Sequence, residues 1–129
     1  MAARTILVVD DDMDFRAQLR VQLEAAGFAV VEADGLAEAR KALAQGRPDL
    51  VVVDLMMEHM DDGFVLCHEI KAKDAALPVV MVTAVAAETG IKFDATTDGE
   101  RAWVKADAIL DKPVRFEQLK REIGRLVKG

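Results

Sequence analysis

The chain has 129 residues, a formal net charge of −6 and 52% hydrophobic residues. Those values describe one ordered domain that can bury a core without staples, and the acidic balance excludes a basic nucleic-acid footprint and attraction to an anionic membrane surface. A single cysteine excludes an internal disulfide, and no segment has a signal-peptide layout or the length of a bilayer span, so the expected setting is the cytoplasm.

The first predicted element is the apolar run Thr5-Ile6-Leu7-Val8-Val9, which stops at Asp10, Asp11 and Asp12. Phe15, Leu19, Leu23 and Ala26 then recur at helical spacing, with Arg16, Arg20 and Glu24 expected to face away. Gly27 is placed to end that helix. Phe28 to Ala33 reads as a second, partly alternating strand. Asp34-Gly35 opens a helix through Leu36, Ala39 and Leu43, with Asp34 as its expected N-cap. Gly46-Arg47-Pro48-Asp49 is a turn. Leu50-Val51-Val52-Val53 is a third strand, stopping at Asp54.

A loop and a helix with Phe64, Cys67 and Ile70 inward come next. Pro78 starts the fourth strand, Val79-Val80-Met81-Val82, which stops at Thr83. The segment from Ala84 to Asp107 breaks the rhythm. It reads as an extended loop followed by a helix from Thr97 or Asp98 to about Ala106. Ala108-Ile109-Leu110 is the fifth strand and leads through Asp111 into Lys112-Pro113. The last helix carries Phe116, Leu119, Ile123 and Leu126 on one face.

Five strands alternating with five helices imply βαβ units, hence a parallel sheet covered on both faces. Burial on both faces explains central strands that are nearly all Val, Ile and Leu, without alternation. The predicted fold class is α/β, a three-layer, doubly wound arrangement. No repeat, low-complexity tract or linker divides residues 1–129, so one domain is expected.

In open α/β sheets, ligands sit beyond the carboxyl ends of the strands, where strand order reverses. Parallel strands with these ends gather Asp10, Asp11 and Asp54, the Thr83 hydroxyl and the Lys112 ammonium at one edge. Clustered carboxylates repel unless one is protonated or a cation binds among them. A hard oxygen cluster suits Mg²⁺, with Mn²⁺ able to substitute, and such an ion bridges to phosphate.

The motifs Val-Val-Asp10-Asp11, Val-Val-Val-Asp54-Leu-Met-Met, Met-Val-Thr83-Ala84 and Asp-Lys112-Pro113 occur in this order along essentially the whole chain. Together they resemble the receiver domain of two-component response regulators. The resemblance implies a flavodoxin-like five-stranded sheet of order 2-1-3-4-5. It also implies a role for each residue. Asp54 would be the phosphoacceptor, a carboxylate nucleophile attacking a phosphohistidine. Asp11 would ligate Mg²⁺ directly, Asp10 mainly through water, and the Met56 backbone carbonyl would complete the protein's donors. Thr83 would hydrogen-bond a phosphoryl oxygen, and Lys112 would pair with the phosphoryl charge. The Lys112-Pro113 peptide would be cis. Asp12 and Asp14 would stabilise the N-terminus of the first helix.

The implied partners are a sensor histidine kinase or histidine phosphotransfer protein and a downstream protein target. Neither nucleic acid nor membrane is engaged directly. The implied output surface is the fourth helix, fifth strand and fifth helix. No turnover enzyme is expected, only self-phosphorylation from small donors and slow self-dephosphorylation.

Three departures from the family pattern stand out. Ile109 takes a position that is often aromatic. Glu58 replaces the usual proline after the phosphoacceptor. Met56 and Val85 hold positions whose side chains influence hydrolysis, and neither can orient a water, so a long-lived phospho-form is expected.

Three rival readings carry less of the sequence. A phosphatase of the haloacid dehalogenase type would use Asp10 of Asp10-Asp11-Asp12 as nucleophile, but the chain is short for that fold and Asp54 would lack a role. A flavin or nucleotide binder would need a Gly-rich loop after the first strand. A phosphate-independent interaction module would not need all five polar positions.

Overall fold

The computed structural model describes residues 4–54, 62–83, 106–111 and 114–127. Five strands form one sheet: β1 (Thr5–Val9), β2 (Ala29–Ala33), β3 (Leu50–Asp54), β4 (Val79–Thr83) and β5 (Ala108–Asp111). Their order is β2-β1-β3-β4-β5 and every pair is parallel. This is the expected order, with its reversal between β1 and β3. Every residue of β3 and β4 is buried, which is why those runs do not alternate, whereas edge strand β2 alternates in part.

The side chains divide by strand period into two cores. Leu7, Val9, Val51, Val53, Val79 and Met81 pack with Ala39 of α2 (Leu36–Gln45) and with Leu66, Cys67 and Ile70 of α3 (Asp62–Lys73). Ile6, Val8, Leu50, Val52, Val80 and Val82 pack with Leu19 and Leu23 of α1 (Met13–Ala25) and with Leu119 and Ile123 of α4 (Phe116–Leu126). Phe116 and Leu126 flank that second core, as the C-terminal periodicity predicts. The helix expected between β4 and β5 lies outside the described residues.

The end of α1 follows from glycine chemistry. Ala26 is the C-cap, and Gly27 has φ +99°. The Gly27 N–H donates to the Glu24 carbonyl at 3.0 Å, and the Phe28 N–H donates to the Leu23 carbonyl at 3.0 Å. Those two bonds make a Schellman cap. A Cβ on Gly27 would touch nothing within 4 Å, so only the left-handed backbone would resist it. Gly27→Ala is therefore expected to destabilise the chain by about 1 kcal/mol, read as a lower urea midpoint with an unchanged m value.

Three local expectations need correction. Ala26, expected on the buried face of α1, is exposed, because the helix ends at Ala25 and Ala26 is its C-cap. Gly35, not Asp34, is the N-cap of α2 and offers no side chain. The Glu38 carboxylate instead reaches back to accept the Asp34 N–H at 2.8 Å, much as the glutamate of a capping box does. Arg16, expected to face away, is tucked against the end of β1.

At the edge of the sheet opposite the strand ends, Asp107 fixes the entry to β5. Its carboxylate accepts from Lys71 Nζ at 2.7 Å and from the Val79 N–H at 2.8 Å. Lys71 also donates to the Leu77 carbonyl at 2.8 Å, so one ammonium ties α3 to the segments that enter β4 and β5. Nearby Cys67 is fully buried, and that burial pushes its thiol from 9.0 up to about 11. A raised thiol pKa favours the folded state fully below the unfolded value and loses that share as pH rises from 9 through 11. Wild type is expected to lose roughly 1 kcal/mol more than Cys67→Val between pH 8 and pH 10, measured by urea unfolding at both.

Candidate functional site

Asp10 lies just past β1, Asp54 is the last residue of β3, and Thr83 is the last residue of β4. Val9 stands opposite Val53, Asp54 opposite Val82, and Thr83 opposite Asp111. The carboxyl ends of four adjacent strands thus meet at one edge, beside the reversal in strand order. Asp10 is 0% exposed, Thr83 1% and Asp54 5%, whereas Asp11 is exposed.

Asp10, Asp11 and Asp54 each offer a carboxylate oxygen, and the three oxygens lie within 4.8 Å of one another. Two buried acids make the floor of the cluster and an exposed one makes its rim. That donor set fits a hard divalent cation that keeps several of its waters. Among the described residues it contains no sulfur or imidazole ligand.

Local hydrogen bonds hold the first of these acids. The Asp10 N–H donates to the Ala33 carbonyl at 3.1 Å, extending the pairing with β2 by one residue. The Asp10 carboxylate accepts the Asp12 N–H at 2.9 Å, which folds the chain into an Asx turn. The Asp12 carboxylate then caps α1, accepting from the Asp14 N–H at 3.0 Å and the Phe15 N–H at 3.2 Å. The aspartate run is thus divided between a pocket and a helix cap. Among the described residues, no buried side-chain polar atom lacks a partner.

Of the sequence-predicted site, Asp10, Asp11 and Asp54 are brought together, and Thr83 ends the strand beside Asp54. Met56, Lys112 and the Lys112-Pro113 peptide lie outside the described residues, as do Glu58 and Val85. Sequence reasoning missed Arg16. Its guanidinium donates to the Asp10 main-chain carbonyl and to Glu32 of β2. Position 16 alone carries no signal of this, because one partner follows β1 and the other lies on β2.

The family model described as the response regulator receiver domain matches residues 6–124. The chain belongs to this family. A receiver domain assignment also agrees with its relatives. Response regulator MprA from Mycobacterium sp. (strain KMS) is 36% identical over 116 residues, covering 88% of this chain and 46% of MprA. The chain therefore spans less than half of that relative's length. Response regulator TrrA from Thermotoga maritima, solved in complex with Mg²⁺-BeF, superposes with a TM-score of 0.78 at 28% identity, covering 95% of this chain and 98% of TrrA. The chemotaxis response regulator CheY4 of Vibrio cholerae superposes with a TM-score of 0.79 at 26% identity, covering 97% of this chain and 99% of CheY4. The haloacid dehalogenase reading finds no support among these relatives. No described helix of this receiver domain is long and apolar enough to cross a membrane.

Proposed function

We propose that residues 1–129 form a single receiver domain that takes a phosphoryl group onto Asp54 in a two-component phosphorelay. The observation that carries this reading is the convergence of three carboxylate oxygens within 4.8 Å, at the sheet edge where Thr83 also ends its strand. Asp54 is the nucleophile: a carboxylate oxygen attacks phosphorus, and the bond from phosphorus to the donor's leaving group breaks. Asp10, Asp11, Asp54 and the Met56 carbonyl would hold Mg²⁺ or Mn²⁺. That ion would supply positive charge to phosphoryl oxygens that the acids alone would repel. The Mg²⁺-BeF complex of TrrA supports this assignment.

Thr83 would accept the switching role, hydrogen-bonding a phosphoryl oxygen after transfer, and Lys112 would pair with the added charge. Ile109 is partly buried against the core beneath α3, so it gives this receiver an aliphatic contact at a position that is often aromatic. The change would be read on the face around β5, α4 and the preceding segment. A histidine kinase or phosphotransfer protein would supply the phosphoryl group in the cytoplasm, and a protein target would read the result. Dephosphorylation would be slow, since Met56 and Val85 offer no group to orient water.

The deciding experiment treats the chain with acetyl phosphate and Mg²⁺, then locates the modified residue by mass spectrometry after borohydride trapping. Modification of Asp54 that requires the cation supports the reading. Modification at Asp10, or none at all, overturns it.

A further inference from the structure

We infer that Arg16 is a positioning residue for the cation-binding acids, acting through the main chain of Asp10 and clamped in place by Glu32. The inference rests on the cation-site reading above and goes beyond it, because Arg16 itself is not a ligand.

The Asp10 carbonyl lies one residue past the end of β1. A carbonyl on a residue with 0% exposure needs a partner. Arg16 Nη1 supplies it at 2.5 Å. That carbonyl and the Asp11 N–H belong to one rigid peptide plane. Fixing the carbonyl therefore fixes the direction in which Asp11 leaves Asp10. The other handles of Asp10 are already held, its N–H by Ala33 and its carboxylate by Asp12. Arg16 sets the remaining rotation, the one that relates the buried floor of the cluster to its exposed rim.

The guanidinium is itself held. Arg16 Nε donates to Glu32 Oε1 at 3.1 Å, and Arg20 Nη1 donates to Glu32 Oε2 at 2.9 Å. The Arg16 side chain is only 14% exposed and Glu32 25%. One face of the fork serves the carbonyl while another serves Glu32, a geometry that a lysine cannot copy. Glu32 also balances the charge of Arg16, so the contribution to cation binding is orientation rather than added field. Glu32 is part of β2, so the clamp ties the site to the edge strand beside it.

The test is Mg²⁺ titration by calorimetry of the full chain as wild type, Arg16→Ala, Arg16→Lys and Glu32→Gln, with urea unfolding of each in metal-free buffer. Arg16→Ala is expected to weaken Mg²⁺ binding about tenfold or more, the scale on which groups that orient a ligand act. Arg16→Lys, which can reach the carbonyl with one donor, is expected to recover part of the loss. Glu32→Gln, whose amide oxygen still accepts from Arg16, is expected to stay within about twofold of wild type.

Arg16→Ala binding Mg²⁺ like wild type overturns the inference, as does Glu32→Gln falling as far as Arg16→Ala. If Arg16→Ala does not fold, Arg16→Lys decides: binding indistinguishable from wild type overturns the clamp. Wild type that takes up no Mg²⁺ overturns the cation-site reading itself, an outcome separate from equal binding by variant and wild type.

Discussion

Asp54→Asn is expected to lower phosphoryl acceptance from acetyl phosphate by a factor on the order of 1000 or more, down to background. The side chain keeps its shape, so its place at the end of β3, 5% exposed, is preserved. What changes is nucleophilicity: an amide oxygen does not attack phosphorus as a carboxylate does. Asp10→Asn and Asp11→Asn should behave differently, because on the proposed reading they remove cation-holding oxygens and leave the nucleophile. Their loss should be partial and should shrink as Mg²⁺ is raised, whereas added cation does nothing for Asp54→Asn. Intact-mass measurement over a Mg²⁺ series separates the cases. Full phosphorylation of Asp54→Asn would move the reaction to another residue and remove the basis of the receiver mechanism.

The sheet and its polar edge were legible because their signals are local. A run such as Leu50-Val51-Val52-Val53, short, β-branched and preceded by a turn, reads as a strand buried on both faces, and its stop at Asp54 marks the edge. Strand order was not legible in the same way. Nothing within the β1 run names β3 as its neighbour; that came from resemblance, and the proximity of Asp10 to Asp54 depends on it. Residue preferences failed where a partner lay outside the window. Asp34 fits the N-cap by type, yet Glu38, four residues on, meets the exposed N–H by reaching back. Arg16 falls on the polar side of a helical wheel, and a wheel does not show the Asp10 carbonyl or Glu32 on another strand. Asp12 was read correctly because capping is a property of the first turn itself.

The acids that make the site useful should also make the cation-free protein less stable. Two charges no more than 4.8 Å apart repel by about 3 kcal/mol or more at an effective dielectric near 20. Asp11 is exposed, and water screens its share. Asp10 and Asp54 are buried, so their mutual repulsion should be felt most. In chelating buffer, Asp54→Asn is expected to melt higher than wild type, by roughly 1–2 kcal/mol or several degrees.

Mg²⁺ should reverse that ranking. A cation at 100 times its dissociation constant stabilises the folded state by about 2.7 kcal/mol, and wild type, with all three carboxylates in place, should receive that increment in full. Asp54→Asn, with one donor neutralised, should receive less. Thermal melts of both proteins, with chelator and with saturating Mg²⁺, should therefore cross. If Asp54→Asn melts below wild type in chelator, repulsion between the buried acids is not what limits stability. If both proteins shift equally with Mg²⁺, the cation binds elsewhere. Crossing melts would mean that one set of charges both loosens the cation-free fold and binds the cation that tightens it, so that the proposed phosphoryl transfer to Asp54 would act on a site already balanced between two electrostatic states.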